Sequence, residues 1–155
     1  MTVYRFAYSR HIIDLTASPH LRFKNSPLLD VGLQRKDKLV KVVSYIDTGS
    51  QWCLFNKQYA LQLGIRDYQS GEVHPMFGIA GEDTRVNAYF HDLTLIVYTD
   101  QNNLKINNAI KIETKIGFLD KEFGFGGILG VYGFLDRFSF YTNIPENYFE
   151  LKYLM

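Results

Sequence analysis

Short runs of β-branched and aromatic residues, separated by polar turns, constrain the fold of this chain more than any other feature. Such runs predict strands at residues 3–9, 28–34, 39–46, 86–99, 108–116, 139–141 and 148–153. Turn-forming stretches such as RKDK and TDQNN lie between them. Two short helices are expected at 57–63 and 131–138, the first with Asn56 as N-cap and Gly64 as C-terminal stop. Residues 10–27 show no period and receive no assignment. The pattern predicts a mainly-β fold.

Length and charge narrow the class of protein. The 155 residues match one ordinary domain, so a single domain over 1–155 is expected. With 46% apolar residues and a formal net charge of +1, the chain is typical of a globular protein. Its 17 basic and 16 acidic residues form no long runs, which argues against nucleic acid as a partner.

Targeting signals and cysteine usage bear on the compartment. Arg5 and Arg10 interrupt the N-terminus before a signal-peptide block can form, and no apolar run has membrane-spanning length. Cys53 is the only cysteine, so it has no partner for an internal disulfide, and the chain has no Asn-X-Ser/Thr acceptor. A reducing, cytoplasmic setting without membrane attachment is the expectation.

The stretch SYIDTGSQWCLF, residues 44–55, places a carboxylate at the end of an apolar strand. Strand alternation puts Asp47 on the face opposite Ile46, where ionisation is costly unless hydrogen bonds or a second group stabilise the charge. Gly49 permits close backbone approach, and the hydroxyls of Thr48 and Ser50 are available for hydrogen bonds. A simple β-turn or a helix-entry cap is the alternative interpretation.

A second stretch, HPMFGIAGEDTRVNAYF, reads as a hairpin. Gly78 and Gly81 bracket its turn, with Met76, Phe77 and Ile79 near the tip. Exposed apolar side chains on a glycine-hinged hairpin suit a lid over a ligand, and a plain surface hairpin is the alternative.

In a third stretch, GGILGVYGFLDRFSF, Ile128 and Leu129 lie between glycines. This pattern predicts a closely packed, buried strand that leads into a short helix.

Taken in order over residues 28–153, these three motifs resemble a retropepsin-type aspartic protease, and bacterial retropepsin-like proteins are the most similar group. The resemblance implies a closed acid-protease β-barrel with one or two short helices and one lobe per chain. Since such chains carry one Asp-Thr-Gly each, it also implies a homodimer with two catalytic carboxylates and no cofactor or metal. The expected activity is that of an aspartic endopeptidase acting on a peptide in extended conformation.

The resemblance also implies roles for single residues. Asp47 and its symmetry mate would share one proton and activate a water. Thr48 would hydrogen-bond across the dimer axis, and the Gly49 amide would hold the carboxylate. The first and last strands would interleave in a dimer sheet. The implied substrate-binding residues are Ser50, then the flap residues Met76, Phe77, Gly78, Ile79, Ala80 and Gly81, and finally Ile128, Leu129 and Gly130, which would pack against the catalytic loop.

One departure and several alternatives accompany this interpretation. Many relatives carry an Arg-Asp or Arg-Asn pair where Val131 and Tyr132 stand, which puts the polar support around the start of the second predicted helix in question, although the catalytic carboxylates do not need the pair. A non-catalytic peptide-binding or dimerisation module with the same fold is the functional alternative. The histidines lack metal-ligand spacing, and Cys53 lacks the local signature of a nucleophile, so it reads as a small apolar strand residue.

Overall fold

The computed structural model describes residues 1–77, 85–122, 124 and 126–154. Within them the chain forms twelve strands and two short α-helices. In chain order these are β1 (Val3–Ala7), β2 (Ser9–Ile12), α1 (Pro19–Arg22), β3 (Phe23–Ser26), β4 (Leu28–Arg35), β5 (Lys38–Ile46), β6 (Leu54–Asn56), α2 (Lys57–Gln62), β7 (Glu72–Met76), β8 (Val86–Val97), β9 (Ile110–Leu119), β10 (Gly127–Leu129), β11 (Phe138–Asn143) and β12 (Tyr148–Tyr153). The chain divides into two compact units, Leu29–Asp136 and a second unit that combines Met1–Leu28 with the chain from Arg137 onward. That both belong to one domain stays a prediction.

The larger unit is a mixed β-barrel. Its strands follow the order β4-β5-β10-β6-β9-β8-β7, and β4 also pairs with β8, with Val31 opposite Val97. This extra pairing closes six strands into a barrel and leaves β7 as an extension beyond β8. The predicted mainly-β closed barrel with short helices is confirmed.

Strand alternation decides which side of β5 is buried. Val42, Ser44 and Ile46 are buried, whereas Val43 between them is 50% exposed. This is the face that the sequence assigns to Ile46, because successive side chains of a strand point to opposite sides. Side chains that are 0% exposed fill the unit and include Val31, Leu33, Phe55, Leu95, Ile116 and Phe118.

A glycine, Gly64, follows the C-terminal end of helix α2, as the sequence predicts. Gly64 has a φ of +77°, a conformation that glycine adopts without strain. The Ile65 amide then donates to the Ala60 carbonyl at 3.0 Å, which satisfies one of the last carbonyls of the helix. The helix stops at Gln62, one residue before the predicted end.

The second predicted helix, over 131–138, is wrong. Only a 3₁₀ turn, Leu135–Arg137, forms there, and Phe138 already begins β11. The amides of Val131 and Tyr132 donate instead to the carbonyls of Ser50 and Gln51, and Gly133 has a φ of +89°. An α-helix has a φ near −60° at every residue, so a helix over 131–138 is incompatible with the conformation of Gly133.

The second unit contains a three-stranded antiparallel sheet of order β1-β12-β11 and a β2–β3 hairpin. The hairpin and α1 occupy the unassigned region 10–27, and the predicted strand over 3–9 is divided between β1 and β2. Phe6 and Phe149 stack with ring centroids 5.3 Å apart, and the Tyr8 ring meets Phe149 edge-on. Over the residues that the structure describes, no helix has the length and hydropathy needed to cross a membrane.

Candidate active site

The loop between β5 and β6 carries Asp47 and is anchored by β10. Its two flanking strands both pair with β10, which runs parallel to β5 and antiparallel to β6. The Asp47 amide donates to the Leu129 carbonyl at 3.0 Å, and the Ser50 amide donates to the Asp47 carbonyl at 3.2 Å. The backbone at Asp47 is therefore held on both sides by strand and turn hydrogen bonds.

The carboxylate of Asp47 is oriented by the loop itself. The Gly49 amide donates to Asp47 Oδ1 at 2.8 Å. A Cβ at Gly49 would lie 3.2 Å from the same oxygen, which is a tight contact. Glycine therefore suits the close approach of the backbone at position 49 to the Asp47 carboxylate. Asp47 is half-buried, while Thr48 is exposed on the turn. The predicted contact of the Gly49 amide with the carboxylate is present in the single chain.

The far end of the loop is joined to the chain that follows β10. Ser50 Oγ donates to the Trp52 carbonyl at 2.8 Å, and the Val131 amide donates to the Ser50 carbonyl at 2.9 Å. A Cβ at Gly130 would come within 2.6 Å of Ser50 O and closer still to Trp52 O. Only a glycine at position 130 allows the two backbones this approach.

A cleft of about 320 Å³ opens beside the carboxylate. It is lined by Asp47, Gly49, Ser50, Gln51, Trp52, Leu54, Met76, Phe77 and Ile128. Six of the residues predicted for the site thus lie together, and Leu129 and Gly130 contact the loop through the backbone. Gly78, Ile79, Ala80 and Gly81 lie outside the described residues. The functional roles of all these residues stay predictions.

Met76 and Phe77 differ in exposure, although the sequence places both near the exposed tip of a hairpin. Phe77 is 72% exposed, as expected of a lid residue. Met76 is only 9% exposed, because β7 pairs with β8 and the Met76 side chain joins a hydrophobic cluster that includes Leu54 and Phe90. The expectation of an exposed Met76 is wrong.

Sequence reasoning missed Gln51, Trp52 and Leu54 as lining residues of the cleft. Trp52 is the only tryptophan of the chain and follows Asp47 by five positions, which was the available signal. Its ring lies 5.4 Å from that of Tyr132, centroid to centroid. An aromatic contact therefore involves one of the two positions for which the resemblance implies a polar pair. The turn gains polar support from Asp136, whose Oδ1 accepts a hydrogen bond from the Gly133 amide at 3.0 Å.

Cys53 is an unreactive core residue. Its side chain is 0% exposed, and its Sγ donates to the Tyr132 carbonyl at 3.4 Å. Burial raises the pKa of the thiol to about 12, so the thiolate that a nucleophile requires is scarce near neutral pH. Cys53 is a buried, small apolar residue as predicted, but it precedes the strand, since β6 begins at Leu54. In the described part of the chain, no three His, Cys, Asp or Glu side chains form a group that could hold a metal ion.

Comparison with known proteins finds no matching family model and no matching curated protein. Among solved structures, the chain is similar to a retropepsin-like aspartic protease from Rickettsia conorii, with a TM-score of 0.58 and 17% identity over 98% of this chain and 92% of that chain. It also matches the retroviral protease-like domain of Ddi1 from Leishmania major, with a TM-score of 0.47 and 19% identity over 83% and 94% of the two chains. Together with the closed mixed barrel, the first of these likenesses shows that this chain has the retropepsin-like fold.

Proposed function

We propose that the protein is an aspartic endopeptidase that hydrolyses peptide bonds with Asp47 from each of two chains. One observation carries the proposal: the Asp47 carboxylate is oriented by the Gly49 amide and borders a cleft that is lined by both polar and apolar residues. A half-buried carboxylate with fixed geometry suits proton transfer to and from a bound water. The Rickettsia protein named above is described as an aspartic protease, which supports the proposal through the shared fold.

The proposed chemistry needs two carboxylates in different protonation states. Two Asp47 side chains placed close together share one proton, because like charges at short range oppose full ionisation. The ionised carboxylate takes a proton from water as the water oxygen attacks the scissile carbonyl carbon. The protonated carboxyl donates a hydrogen bond to the carbonyl oxygen. The C–N bond then breaks as the leaving amine receives a proton, and a carboxylic acid and an amine are released.

Because each chain supplies one Asp47, this mechanism requires a homodimer. Interleaving of the terminal strands is part of the proposal. In the described residues β12 lies between β1 and β11, which leaves these two as the outer strands of the sheet. A second copy that adds strands there would extend the hydrogen-bonded sheet. A stable association of this kind buries roughly 1,200 Å² or more in total.

The substrate is proposed to bind as an extended strand. Among the described strands β7 is the outermost of its sheet, and its last residue, Met76, borders the cleft together with Phe77. Backbone hydrogen bonds to such an edge hold a peptide with little regard to its sequence, and side-chain pockets then select particular residues. The flap role of residues 76–81 belongs to this proposal, as does a cytoplasmic setting, which the lone cysteine favours.

A peptide-binding module without catalysis is the competing proposal. It is favoured by the apolar residues among those that line the cleft, since Trp52, Met76 and Ile128 would hold a peptide without any chemistry. The Asp-Thr-Gly loop would then serve folding alone. The two proposals differ in one observable, which is hydrolysis that depends on the Asp47 carboxylate.

Digestion of a diverse peptide pool from acidic to neutral pH tests this difference. Wild-type protein, Asp47→Asn and the matched variant Asp37→Asn are compared, since Asp37 is an exposed carboxylate on the turn between β4 and β5. The proposal expects cleavage by the wild type and by Asp37→Asn and none by Asp47→Asn. Equal peptide profiles for all three proteins, with the dimer present, would contradict catalysis and favour the binding module.

A further inference from the structure

A second depression lies next to the catalytic cleft and shares Trp52 with it. Its volume is about 320 Å³. It is lined by Trp52, Glu72, His74, Phe90, Lys115 and Tyr132. We call this depression the side pocket. All of its lining residues belong to the barrel unit, and the shared tryptophan places it beside the cleft that Asp47 borders.

Aromatic rings form most of the side pocket. The Trp52 ring has three edge-to-face neighbours, with centroid distances of 5.4 Å to Phe90, 5.4 Å to Tyr132 and 5.9 Å to His74. The angles between the ring planes are 65–67°. Rings held at such angles present both faces and edges to the same space, which is how proteins build cages for flat or cationic groups.

The side pocket is lined by one carboxylate, that of Glu72, and by one ammonium group, that of Lys115. Lys115 Nζ lies 3.2 Å from Asp92 Oδ1 and 4.0 Å from Glu72 Oε2. The Glu72 side chain is 75% exposed, and among the residues that the structure describes its ion-pair contact is this long one with Lys115. Lys115 therefore compensates the negative charge of Asp92 more than that of Glu72, and the Glu72 carboxylate remains available to a ligand.

Further carboxylates line a depression that neighbours the side pocket. A neighbouring depression of about 290 Å³ shares Lys115 and Tyr132 with the side pocket and is also lined by Asp92 and Glu113. Over the two depressions, Glu72, Asp92 and Glu113 face the single ammonium of Lys115. This excess of negative charge attracts a cationic ligand, whereas an apolar ligand gains no electrostatic attraction from it.

We propose that the side pocket binds an arginine side chain of the peptide that occupies the catalytic cleft. A guanidinium group is planar, stacks on aromatic faces and forms paired hydrogen bonds with a carboxylate, here that of Glu72. The proposal rests on the proposed function in one respect, namely that a peptide lies in the cleft. Such a pocket makes the protein selective for substrates with an arginine on one side of the cleaved bond.

The sole tryptophan provides a test that needs no catalysis. Asp47→Asn protein is titrated with capped alanine heptapeptides that carry one arginine at each position in turn, while Trp52 fluorescence is recorded. Matched peptides carry citrulline, which has the shape of arginine without its charge, or phenylalanine. Arginine at one position is expected to change the emission and to bind about tenfold more tightly than citrulline. Equal binding of the arginine and citrulline peptides, tighter binding of phenylalanine, or no fluorescence response would overturn the proposal.

A pair of charge variants identifies the partner of the guanidinium. Glu72→Gln, in the same Asp47→Asn background, is expected to weaken arginine-peptide binding about threefold and to leave citrulline binding unchanged. Glu122→Gln serves as the matched control, because Glu122 is exposed and lines neither depression. An equal effect of both variants would overturn the assignment to Glu72. Because binding is measured without cleavage, failure of the endopeptidase proposal is detected separately, in the digestion of the peptide pool.

Discussion

The Gly49 amide donates a 2.8 Å hydrogen bond to Oδ1 of Asp47, and a Cβ added at Gly49 would lie 3.2 Å from that oxygen. Position 49 thus holds the carboxylate through its amide, and a methyl group there would press against the same oxygen. Thr48 and Gly49 are both exposed, so this contact, and not burial, restricts the side chain at position 49.

Gly49→Ala should reduce activity without unfolding the protein. The added methyl group must displace the Asp47 carboxylate by a few tenths of an ångström, and a displaced catalytic group lowers kcat/KM by about tenfold or more. Because Gly49 is exposed, the free energy of unfolding should change by less than about 1 kcal/mol. Steady-state kinetics and denaturant unfolding measure the two quantities. Full activity in the variant would contradict the assigned role of this contact.

Gly130→Ala should destabilise the loop that carries Asp47, because Gly130 packs against the backbone of that loop. Its methyl group would overlap the backbone carbonyls of Ser50 and Trp52, which side-chain rearrangement cannot relieve. We expect a loss of about 2–3 kcal/mol in the free energy of unfolding, measured by denaturant titration. Gly124→Ala is the matched control, because nothing lies within 4 Å of a Cβ there. Similar stabilities for the two variants would show that the packing at Gly130 is not tight.

Phe77→Ala should affect substrate binding more than stability. The ring is 72% exposed in the single chain and lines the cleft, so its main contacts are expected to form with a bound peptide. KM should rise about fivefold, with the free energy of unfolding unchanged within about 0.5 kcal/mol. Leu15→Ala, which removes a side chain that is 70% exposed and does not line the cleft, should leave KM unchanged. A lower stability of Phe77→Ala with an unaltered KM would count against this role.

Burial of Cys53 predicts a pH dependence of stability. Because burial raises the pKa of the folded thiol to about 12, the unfolded chain releases this proton at a lower pH than the folded chain. Between the two pKa values the unfolded state binds fewer protons, so the free energy of unfolding falls as pH rises through this window. Denaturant unfolding near pH 8 and near pH 10.5 measures the effect.

Cys53→Ala isolates the contribution of the thiol. The variant should lose stability with rising pH less steeply than the wild type, since other groups titrate in both proteins. Iodoacetamide should react slowly with native wild-type protein at neutral pH and rapidly once the chain is unfolded. Parallel pH profiles, or rapid alkylation of the native protein, would show that Cys53 is more accessible than its burial indicates.

Local sequence signals predicted the elements whose geometry depends on near neighbours. Alternation in β5 identified the buried face that ends at Ile46, and the glycine at position 64 identified the end of α2. The motif around Asp47 and the stretch Ile128–Gly130 resembled known proteins closely enough to predict a closed barrel. Each of these predictions depends on residues that are close in the sequence or on a recognisable motif.

Long-range contacts account for what the sequence did not predict. The region 131–138 has an amphipathic pattern, but its Val131 and Tyr132 amides are anchored to carbonyls some 80 positions earlier in the chain, and the φ of +89° at Gly133 turns the backbone away from a helical path. The side pocket combines His74, Phe90 and Tyr132 around Trp52 from separate parts of the barrel. No periodicity within one segment indicates such an assembly.

The most direct test of the central claim is a mixing experiment with wild-type and Asp47→Asn chains on a substrate taken from the peptide pool. If every active site needs two Asp47 carboxylates, an equal mixture should have about a quarter of the activity of wild-type protein at the same total concentration, because only a quarter of randomly formed dimers carry both. Subunit exchange is verified with tagged chains before the assay. An activity of about half, as expected of chains that act independently, would contradict a site shared between two copies.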